Sequence, residues 1–417
     1  MGALLQRIQS EARTAQAALP RAGAPRRTRA LDALSRAGLP GARDENWRYA
    51  SLRSLDRQPF APAPSNAAGP VSLPATVPGF TRYAFVDGHF VPGLSASSSG
   101  SFATASVSEP LPAGEDERLA LLNAALAGDG ARVAVSASGA PERIELLWVA
   151  SAPAANGASY PRLEIEVAAG AHLELIERHL SADESGGFVN GAASVRLAHG
   201  ARCSHIRLQD LNAATVYFDT LSARLEAQAH YRLHSVASGA QAGRSTLAVT
   251  LAGEGAAIDL NAAALGARSQ VQDCYARIEH AAPATRTREL FRGIAAGRAR
   301  VAFNGKVVVA RTAAGADSQQ TLRGLLAGPA AEIDVRPQLE IYTDEVRCSH
   351  GATAGKLDDA MLFYLLSRGL DRDAAQRLLK WAFLEDVVSQ IHLPGLRRQV
   401  EERLAVHLRD DALRELL

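Results

Sequence analysis

The sequence predicts a mainly β protein, in which a parallel, right-handed β-helix core is flanked by N-terminal and C-terminal α-helical domains. Short segments of alternating apolar and polar residues recur between residues 143 and 347, many of them next to a corner of small residues. A nearly constant period of strand-and-turn units is typical of a solenoid. Helical periodicity on both sides of this region, in a chain of 417 residues, indicates two or three domains.

The small-residue corners define the period of the predicted solenoid. They lie 30, 28, 27, 42 and 31 residues apart, and most repeats contain no helix, which favours the coils of a β-helix. A β-sandwich would also give alternating strands, but it would not give this corner spacing. The interval of 42 predicts a longer loop at residues 281–288. The aligned corners begin at Gly170, Gly200, Gln228, Gly255, Gly297 and Gly328.

The N-terminal third of the chain divides into two parts by composition. Residues 1–57 are expected to form a helical domain, because residues 4–37 are rich in Ala, Leu, Gln and Arg, with one break after Pro20. Residues 58–141 are rich in Pro, Ala, Ser and Gly and predict a linker or irregular region. Within it we expect at most one hairpin, around residues 83–91, and a short helix over residues 115–126.

Residues 142–350 are then the expected β-helix core, and residues 351–417 a C-terminal helical domain. A helix over residues 357–368 should end at Gly369, and Asp371 is the expected N-cap of a second helix. Pro394 breaks that helix, and a charged helix runs on to the end of the chain. We expect the helical domain to cap the last coil, because an uncapped coil exposes unpaired strand edges.

Composition and charge narrow the function classes. The chain has 45 basic and 44 acidic residues, a formal net charge of +1, which argues against nucleic acid as an obligate partner. It contains no apolar run long enough for a membrane span and no signal-peptide pattern at its start. Its three cysteines (Cys203, Cys274 and Cys348) cannot form a disulfide framework. We therefore expect a protein of the reducing cytoplasm.

A thiol and an imidazole close the strand-like region at Cys348 and His350. In a strand these two residues share a face, and both side chains are competent iron or zinc ligands. If the entering strand is regular, they lie on a polar outer face with Glu340 and Tyr342, unless residues 343–345 form a turn. A zinc site or iron–sulfur cluster needs about four ligands, so any site here is shared. The alternative is that neither residue binds a metal: Cys348 would then be a half-buried strand residue, and His350 would cap the following helix.

Two further motifs test how much the tripeptide means. A second Cys-Ser-His occurs at residues 203–205, inside a regular repeat, and is expected to be ordinary strand. Cys274 has no neighbouring ligand in the sequence and is expected to pack.

A carbohydrate-active β-helix enzyme is the alternative that the fold invites. Such enzymes need clustered carboxylates and aromatic platforms for sugars. Aromatic residues are 5% of this chain, and the nearest carboxylate pairs are Glu332 with Asp334 and Asp358 with Asp359. A solvated strand face and a helix start explain these two pairs better. No Gly-rich phosphate loop with a lysine follows any strand, so a nucleotide site is also unsupported.

Several segments together resemble one protein family. They are Arg-Gly-Ile at 292–294, Gly-Lys-Val-Val-Val at 305–309, Ser-Gln-Gln at 318–320, Pro-Gln-Leu-Glu-Ile-Tyr at 337–342, Cys-Ser-His-Gly-Ala-Thr at 348–353, the run at 358–369, and Leu-Pro with Glu-Asn-Trp-Arg-Tyr at 39–49. These segments resemble the SufB/SufD family, scaffold subunits of the SUF machine for iron–sulfur cluster assembly. The form at 348–353 is that of SufD-like members; SufB-like members also have a cysteine in the segment that holds Leu384.

The resemblance implies a non-enzymatic scaffold with a parallel β-helix between helical domains. It implies pairing with a SufB-like subunit edge to edge, with a homodimer left open when that partner is absent. His350, with Cys348 as the second candidate, would contribute to a transient iron or iron–sulfur site shared with the partner; a third interpretation is that His350 only packs at the interface. A reduced flavin is associated with the family's complex, although no residue here identifies a flavin site. A SufC-like ATPase would bind the C-terminal helices, with candidate contacts at Leu362, Phe363, Leu379, Phe383 and Val387.

Overall fold

The computed structural model describes residues 2–19, 21, 23–41, 44–50, 52–64, 71–97, 100–106, 116–137, 139–151 and 157–408. The elements of the first part are α1 (Gly2–Ala18), α2 (Ala24–Ala37), β1 (Thr81–Val86), β2 (His89–Phe90), β3 (Phe102–Ser106), α3 (Arg118–Leu126), β4 (Asp129–Val135), β5 (Glu142–Ala150), β6 (Ala158–Ser159) and β7 (Arg162–Val167). Three short 3₁₀ turns lie at Glu45–Trp47, Leu52–Leu55 and Pro92–Leu94.

The second part is a run of strands followed by helices. The strands are β8 (His172–Ser181), β9 (Phe188–Leu197), β10 (Arg202–Asp210), β11 (Val216–Leu225), β12 (His230–Ala237), β13 (Ala242–Leu251), β14 (Ala257–Gly266), β15 (Val271–His280), β16 (Arg286–Ala296), β17 (Arg300–Val309), β18 (Ala316–Ala327), β19 (Glu332–Ile341) and β20 (Val346–Gly355). The helices are α4 (Asp359–Ser367), α5 (Arg372–Val388) and α6 (Pro394–Leu408).

The strands form two sheets that face each other, as the predicted mainly β solenoid requires. The first sheet has the order β2-β1-β5-β8-β10-β12-β14-β16-β18-β20, and the second β19-β17-β15-β13-β11-β9-β7-β4-β3. From β8 onward the chain alternates between the sheets, and from β9 onward each strand pairs in parallel with the strand two places earlier. Each coil therefore adds one strand to each sheet, and the prediction of a parallel β-solenoid with helices at both ends is confirmed.

The corners that precede the strands of the first sheet repeat at regular intervals. A residue with positive φ marks each one: Gly170, Gly200, Gln228, Gly255, Ala284 and Gly315. The intervals are 30, 28, 27, 29 and 31 residues. The longer loop predicted at residues 281–288 is therefore wrong: the corner is at Ala284, and β16 begins at Arg286. The earlier corners share an alanine at the next position, but Thr285 follows Ala284, so the sequence pattern is lost there. The predicted series continues with Gly297, which lies at the opposite corner of the coil.

The main core fills the lumen between the sheets. Along each strand, alternate residues point inward and stack on the residue at the same position in the neighbouring coil, as Leu221, Leu247 and Ala276 do in the second sheet. The N-terminal helices cover the outer face of that sheet, where Ile8, Leu34 and Trp47 join an apolar cluster that includes strand residues. Strands such as β11 therefore have buried residues on both faces, with Leu221 inside and Phe218 outside.

The solenoid begins nearer the N-terminus than residue 142. Strands β1 to β4 lie within the range 58–141 that was expected to be linker, and β1 and β4 pair in parallel with β5 and β7. Their brevity and the Pro- and Ser-rich segments between them hide the period from the sequence. The predicted hairpin is present as β1 and β2, and the predicted helix as α3, although residue 115 lies outside the described part.

The C-terminal helices lie on the outer face of the first sheet. Leu384, Val388 and Leu396 pack against Ile206 and Ile294, and α5 contacts β14 and β16. The expected capping of the last coil by these helices is therefore wrong, because their apolar side is matched by outward-facing apolar residues of the sheet. The predicted cap at Asp371 and the left-handed Gly369 are both present.

The last coil is left open. In the part of the chain that the structure describes, β19 and β20 each have a single neighbouring strand, so both present an unpaired edge. Strand β20 continues to Gly355, beyond the boundary expected at 350. Ile341 and Tyr342, at the end of β19, are 40% and 57% exposed. No helix within the described ranges is long and apolar enough to cross a membrane.

Candidate metal centre at the open end of the solenoid

Cys348 and His350 face the lumen at its open mouth. The chain leaves β19 at Ile341 and turns into the first sheet at Val346, so the two strands are not continuous. In that sheet Cys348 is the register partner of Ser318, and His350 of Gln320, both of which point inward and are 1% exposed. The prediction that the two side chains lie on the outer face is therefore wrong, because the turn at 343–345 places both of them on the inside.

The two side chains differ in their surroundings. Cys348 is half-buried and packs against an apolar cluster that contains Val307 and Val309. Burial raises the pKa of its thiol above the usual value, which disfavours the thiolate that binds metals. His350 is exposed. It does not cap α4, because the carboxylate of Asp358 accepts from the first backbone N–H groups of that helix.

The described residues do not bring a complete ligand set to the mouth of the lumen. Within the described residues, no three or more His, Cys, Asp or Glu side chains are grouped so that they could hold a metal ion. Two ligands at most come from Cys348 and His350. A metal bound here needs further ligands from another molecule or from solvent.

A buried polar pair lies in the coils before His350. The amide nitrogen of Gln320 donates to the carboxyl group of Glu289 and, over 3.0 Å, to the carbonyl oxygen of Gly305. Burial raises the pKa of Glu289 to about 7, and the Gln320 amide acts in the opposite direction. Sequence reasoning missed this pair, because the two residues are 31 positions apart and only the stacking of coils joins them.

Comparison with known proteins identifies the family. Residues 149–383 match the family model described as SUF system FeS cluster assembly, SufBD core domain. The chain is 32% identical over 398 residues to iron–sulfur cluster assembly protein SufD of Escherichia coli. The aligned region covers 92% of this chain and 93% of that protein. The chain belongs to the SufBD family.

Other relatives extend the same result. A SufBD family protein of Synechocystis is 30% identical over 409 residues, with 90% of this chain and 89% of that protein covered. The chloroplastic protein ABCI7 of Arabidopsis thaliana is 29% identical over 248 residues, which cover 59% of this chain and 52% of that protein. SufBD membership assigns the chain to the SUF system of iron–sulfur cluster assembly, and the resemblance stated from the sequence is confirmed.

The second Cys-Ser-His of this SufBD chain lies in the first sheet at the same register position as the tripeptide at 348–350, five coils earlier. Cys203 is linked to Cys348 through successive register partners, as His205 is to His350. His205 is fully buried, with Nε2 3.0 Å from Glu177 and Nδ1 2.9 Å from the Tyr231 hydroxyl. Burial also lowers the pKa of His205 and raises that of Cys203. One tripeptide is thus sealed in the core and the other lies at the open mouth.

Glu177 is the centre of a buried ionic cluster in the lumen. It accepts from Nε of Arg207 at 2.8 Å and contacts His179 and His205 at 2.8 and 3.0 Å. Burial alone would raise the pKa of Glu177, but Arg207 and the two histidines outweigh it and hold that pKa well below its usual value. Its members pair mainly with one another, although Nδ1 of His179 is buried without a hydrogen-bond partner among the described residues. This mutual pairing indicates a structural role.

The residues predicted to contact an ATPase differ in how far the structure exposes them. Leu362 and Val387 are buried, Leu379 and Phe383 are half-buried, and Phe363 is 73% exposed. The exposed apolar side chains of α4 and α5 form a surface that we call the α4 patch: Met361, Phe363, Tyr364 and Leu378. Helix α4 is apolar on nearly all sides, so its sequence could not say which side is covered.

The remaining cysteine and the carboxylate pairs have structural explanations. Cys274 packs against the main core, and burial raises its pKa. Glu332 and Asp334 both pair with Arg300, at 3.2 and 3.1 Å. Asp358 caps α4.

Proposed function

We propose that this chain is a non-catalytic scaffold subunit of a SUF complex, which pairs through its open end with a SufB-like subunit. His350 would contribute to a transient iron or iron–sulfur site that is completed by the partner, with iron as cargo. The single observation that carries the proposal is the exposed His350 at the mouth of the lumen, beside the unpaired edges of β19 and β20. Cys348 shares its face and is the weaker candidate, because burial raises the pKa of its thiol and so disfavours the thiolate.

The pairing surface is the end of the solenoid. Unpaired strand edges readily accept a further strand, and the exposed Ile341 and Tyr342 add apolar area to this end. A partner with a similar open coil would continue both sheets and cover His350. The incomplete ligand set of this chain is the expected property of half of a shared site.

The α4 patch is the proposed docking surface for a SufC-like ATPase. Its four apolar side chains are between 43% and 73% exposed. Helix α5, which lies beside it, is tied to the solenoid by Arg292 on β16, whose guanidinium contacts Asp386 at 2.7 Å. A movement of the ATPase would thus reach the first sheet through α5, and with it the strand that carries His350.

Replacement of His350 tests the site. After co-expression with SufB-like and SufC-like partners, His350→Ala should leave the complex assembled but lower its iron and sulfide content by more than half. The loss follows because, within the described residues, Cys348 is the remaining candidate ligand on this face, and burial disfavours its thiolate. The measurement is iron and acid-labile sulfide per complex after anaerobic reconstitution.

His199→Ala is the matched control, since His199 is an exposed histidine at a distant corner of the solenoid. It should reconstitute like the unchanged chain. Full iron and sulfide content in the His350→Ala complex would contradict the site. A looser complex with unchanged iron per complex would instead support the interpretation in which His350 only packs at the interface.

Replacement of Phe363 tests the ATPase surface. Phe363→Asp places a charge on the most exposed side chain of the α4 patch, so the SufC-like protein should no longer co-purify, whereas the SufB-like subunit should remain bound. Phe363 is 73% exposed, and its loss should not disturb the fold. Val406→Asp, on α6, is the control, because Val406 is also an exposed apolar residue, at 42%. Unchanged ATPase binding by Phe363→Asp would reject this surface.

A further inference from the structure

A column of inward-facing side chains leads to His350 through the last coils of the first sheet. Register pairs Glu289 on β16 with Gln320 on β18, and Gln320 with His350 on β20. Neighbouring strands are about 4.8 Å apart. Gln320 and Glu289 are 1% and 2% exposed, so the layer next to His350 is a buried amide that rests on a buried carboxyl group.

The hydrogen bonds of the Gln320 amide decide which of its ends is free. Its nitrogen donates to Glu289 and to the carbonyl oxygen of Gly305. A carbonyl oxygen can only accept, so the nitrogen end of the amide must face Gly305. The other end, Oε1, is buried and accepts no hydrogen bond. A buried oxygen without a donor is unfavourable, and a donor that reaches it removes that cost.

Gly305 on the opposite sheet makes room for this pair. A Cβ at position 305 would lie 2.8 Å from Nε2 of Gln320 and 3.0 Å from Oε2 of Glu289. The lumen is therefore filled on the side of Gly305 and Glu289. The mouth, where His350 lies, is the side from which a further donor can approach.

The buried twin of His350 shows how this fold holds an inward-facing imidazole. His205 contacts Glu177 of the preceding coil through Nε2 and Tyr231 of the following coil through Nδ1. Each ring nitrogen thus has a partner in one neighbouring coil. His350 has Gln320 in the preceding coil and, within the described residues, no following strand in its sheet.

We infer that Gln320 is a positioning residue for His350. When a partner covers the mouth, Oε1 of Gln320 accepts the N–H of one ring nitrogen and leaves the lone pair of the other nitrogen free for iron. A ligating histidine usually donates its second ring N–H to a protein oxygen, which fixes its tautomer and ring orientation. The inference rests on the proposed function, since it requires His350 to be a ligand.

The test uses the assembled complex, freed of clusters and titrated anaerobically with Fe(II). Gln320→Met keeps the approximate volume but removes the acceptor, and the affinity for Fe(II) should fall about tenfold. Gln319→Met is the matched control, because Gln319 is the exposed neighbour on the same strand, and it should bind Fe(II) normally. In the Co(II)-loaded complex, the hyperfine-shifted N–H signal of the bound imidazole should exchange with D₂O faster in Gln320→Met than in the unchanged chain.

Unchanged Fe(II) affinity together with an unchanged N–H exchange rate in Gln320→Met would overturn the inference. If that variant does not assemble, Gly305→Ala decides, since it displaces the amide and leaves its chemistry intact. The same loss of affinity supports the inference, and normal affinity rejects it. His350→Ala distinguishes a failure of the proposed iron site from a failure of the positioning role of Gln320. Normal Fe(II) binding by His350→Ala rejects the proposed site itself, whereas loss there, with normal binding and normal N–H exchange in Gln320→Met, rejects the positioning role alone.

Discussion

Glu177→Ala is expected to lower the free energy of unfolding by about 3–5 kcal/mol, the cost of removing one partner from a buried ion pair. The change leaves Arg207 in the lumen with Asp219 as its remaining carboxylate, 2.8 Å away. Arg207 is 6% exposed and cannot turn to water. His179 and His205 also lose their contact with Glu177. Urea unfolding followed by circular dichroism measures the effect as a lower midpoint.

Glu166→Ala is the matched control for this prediction. Glu166 also contacts two arginines, Arg132 at 2.8 Å and Arg196 at 3.4 Å, but it lies on the surface with 42% of its side chain exposed. Exposed ion pairs contribute about 1 kcal/mol or less, so its midpoint should hardly move. If Glu177→Ala and Glu166→Ala unfold at the same urea concentration, the buried cluster does not stabilise the solenoid.

Gly253→Ala is expected to destabilise the solenoid by about 3 kcal/mol or more, at the upper end of overpacking effects. Gly253 lies in the corner between β13 and β14. A Cβ there would lie 2.0 Å from the backbone nitrogen of Ala227, 2.5 Å from its Cα and 2.6 Å from the carbonyl carbon of Glu226. These are backbone atoms of the preceding coil, and the ladders between neighbouring strands hold them in place.

Gly395→Ala provides the comparison, because no atom lies within 4 Å of a Cβ built at that position. It lies in the first turn of α6, where alanine favours the helix by about 0.5–1 kcal/mol over glycine. Soluble yield and thermal unfolding should separate the two variants clearly. A Gly253→Ala protein that melts at the temperature of the unchanged chain would show that the corners are not closely stacked.

Local patterns in the sequence predict much of this structure. Alternation and corner spacing indicate the solenoid, because a strand has a period of two residues and a coil has a nearly constant length. The series fails from Ala284 onward, where the glycine and the following alanine of most earlier corners are both missing, and it then follows the opposite corner instead of Gly315. Caps such as Asp371 are equally local, since the side chain and the N–H group that it accepts from are three residues apart.

Other features depend on contacts between distant segments. Helix α4 is apolar on nearly every side, so only its packing decides that Leu362 is buried and Phe363 exposed. The position of the C-terminal helices depends on outward-facing residues such as Ile206 and Ile294, which belong to an apolar surface built from six stacked strands. No short window of sequence contains that surface.

The Cys-Ser-His motif separates what the sequence determined from what the tertiary structure decided. The sequence by itself determined the solenoid, the family, and the fact that Cys348 and His350 share a face, because all three follow from residue identity and spacing along one strand. Only the tertiary structure decided that this face is the inside, that Gln320 and Glu289 lie beneath it, and that the mouth is open. The identical tripeptide at residues 203–205 is sealed, since a further coil covers each of its sides. Exposure of His350 is thus a property of its place in the stack of coils, which residue order alone does not contain.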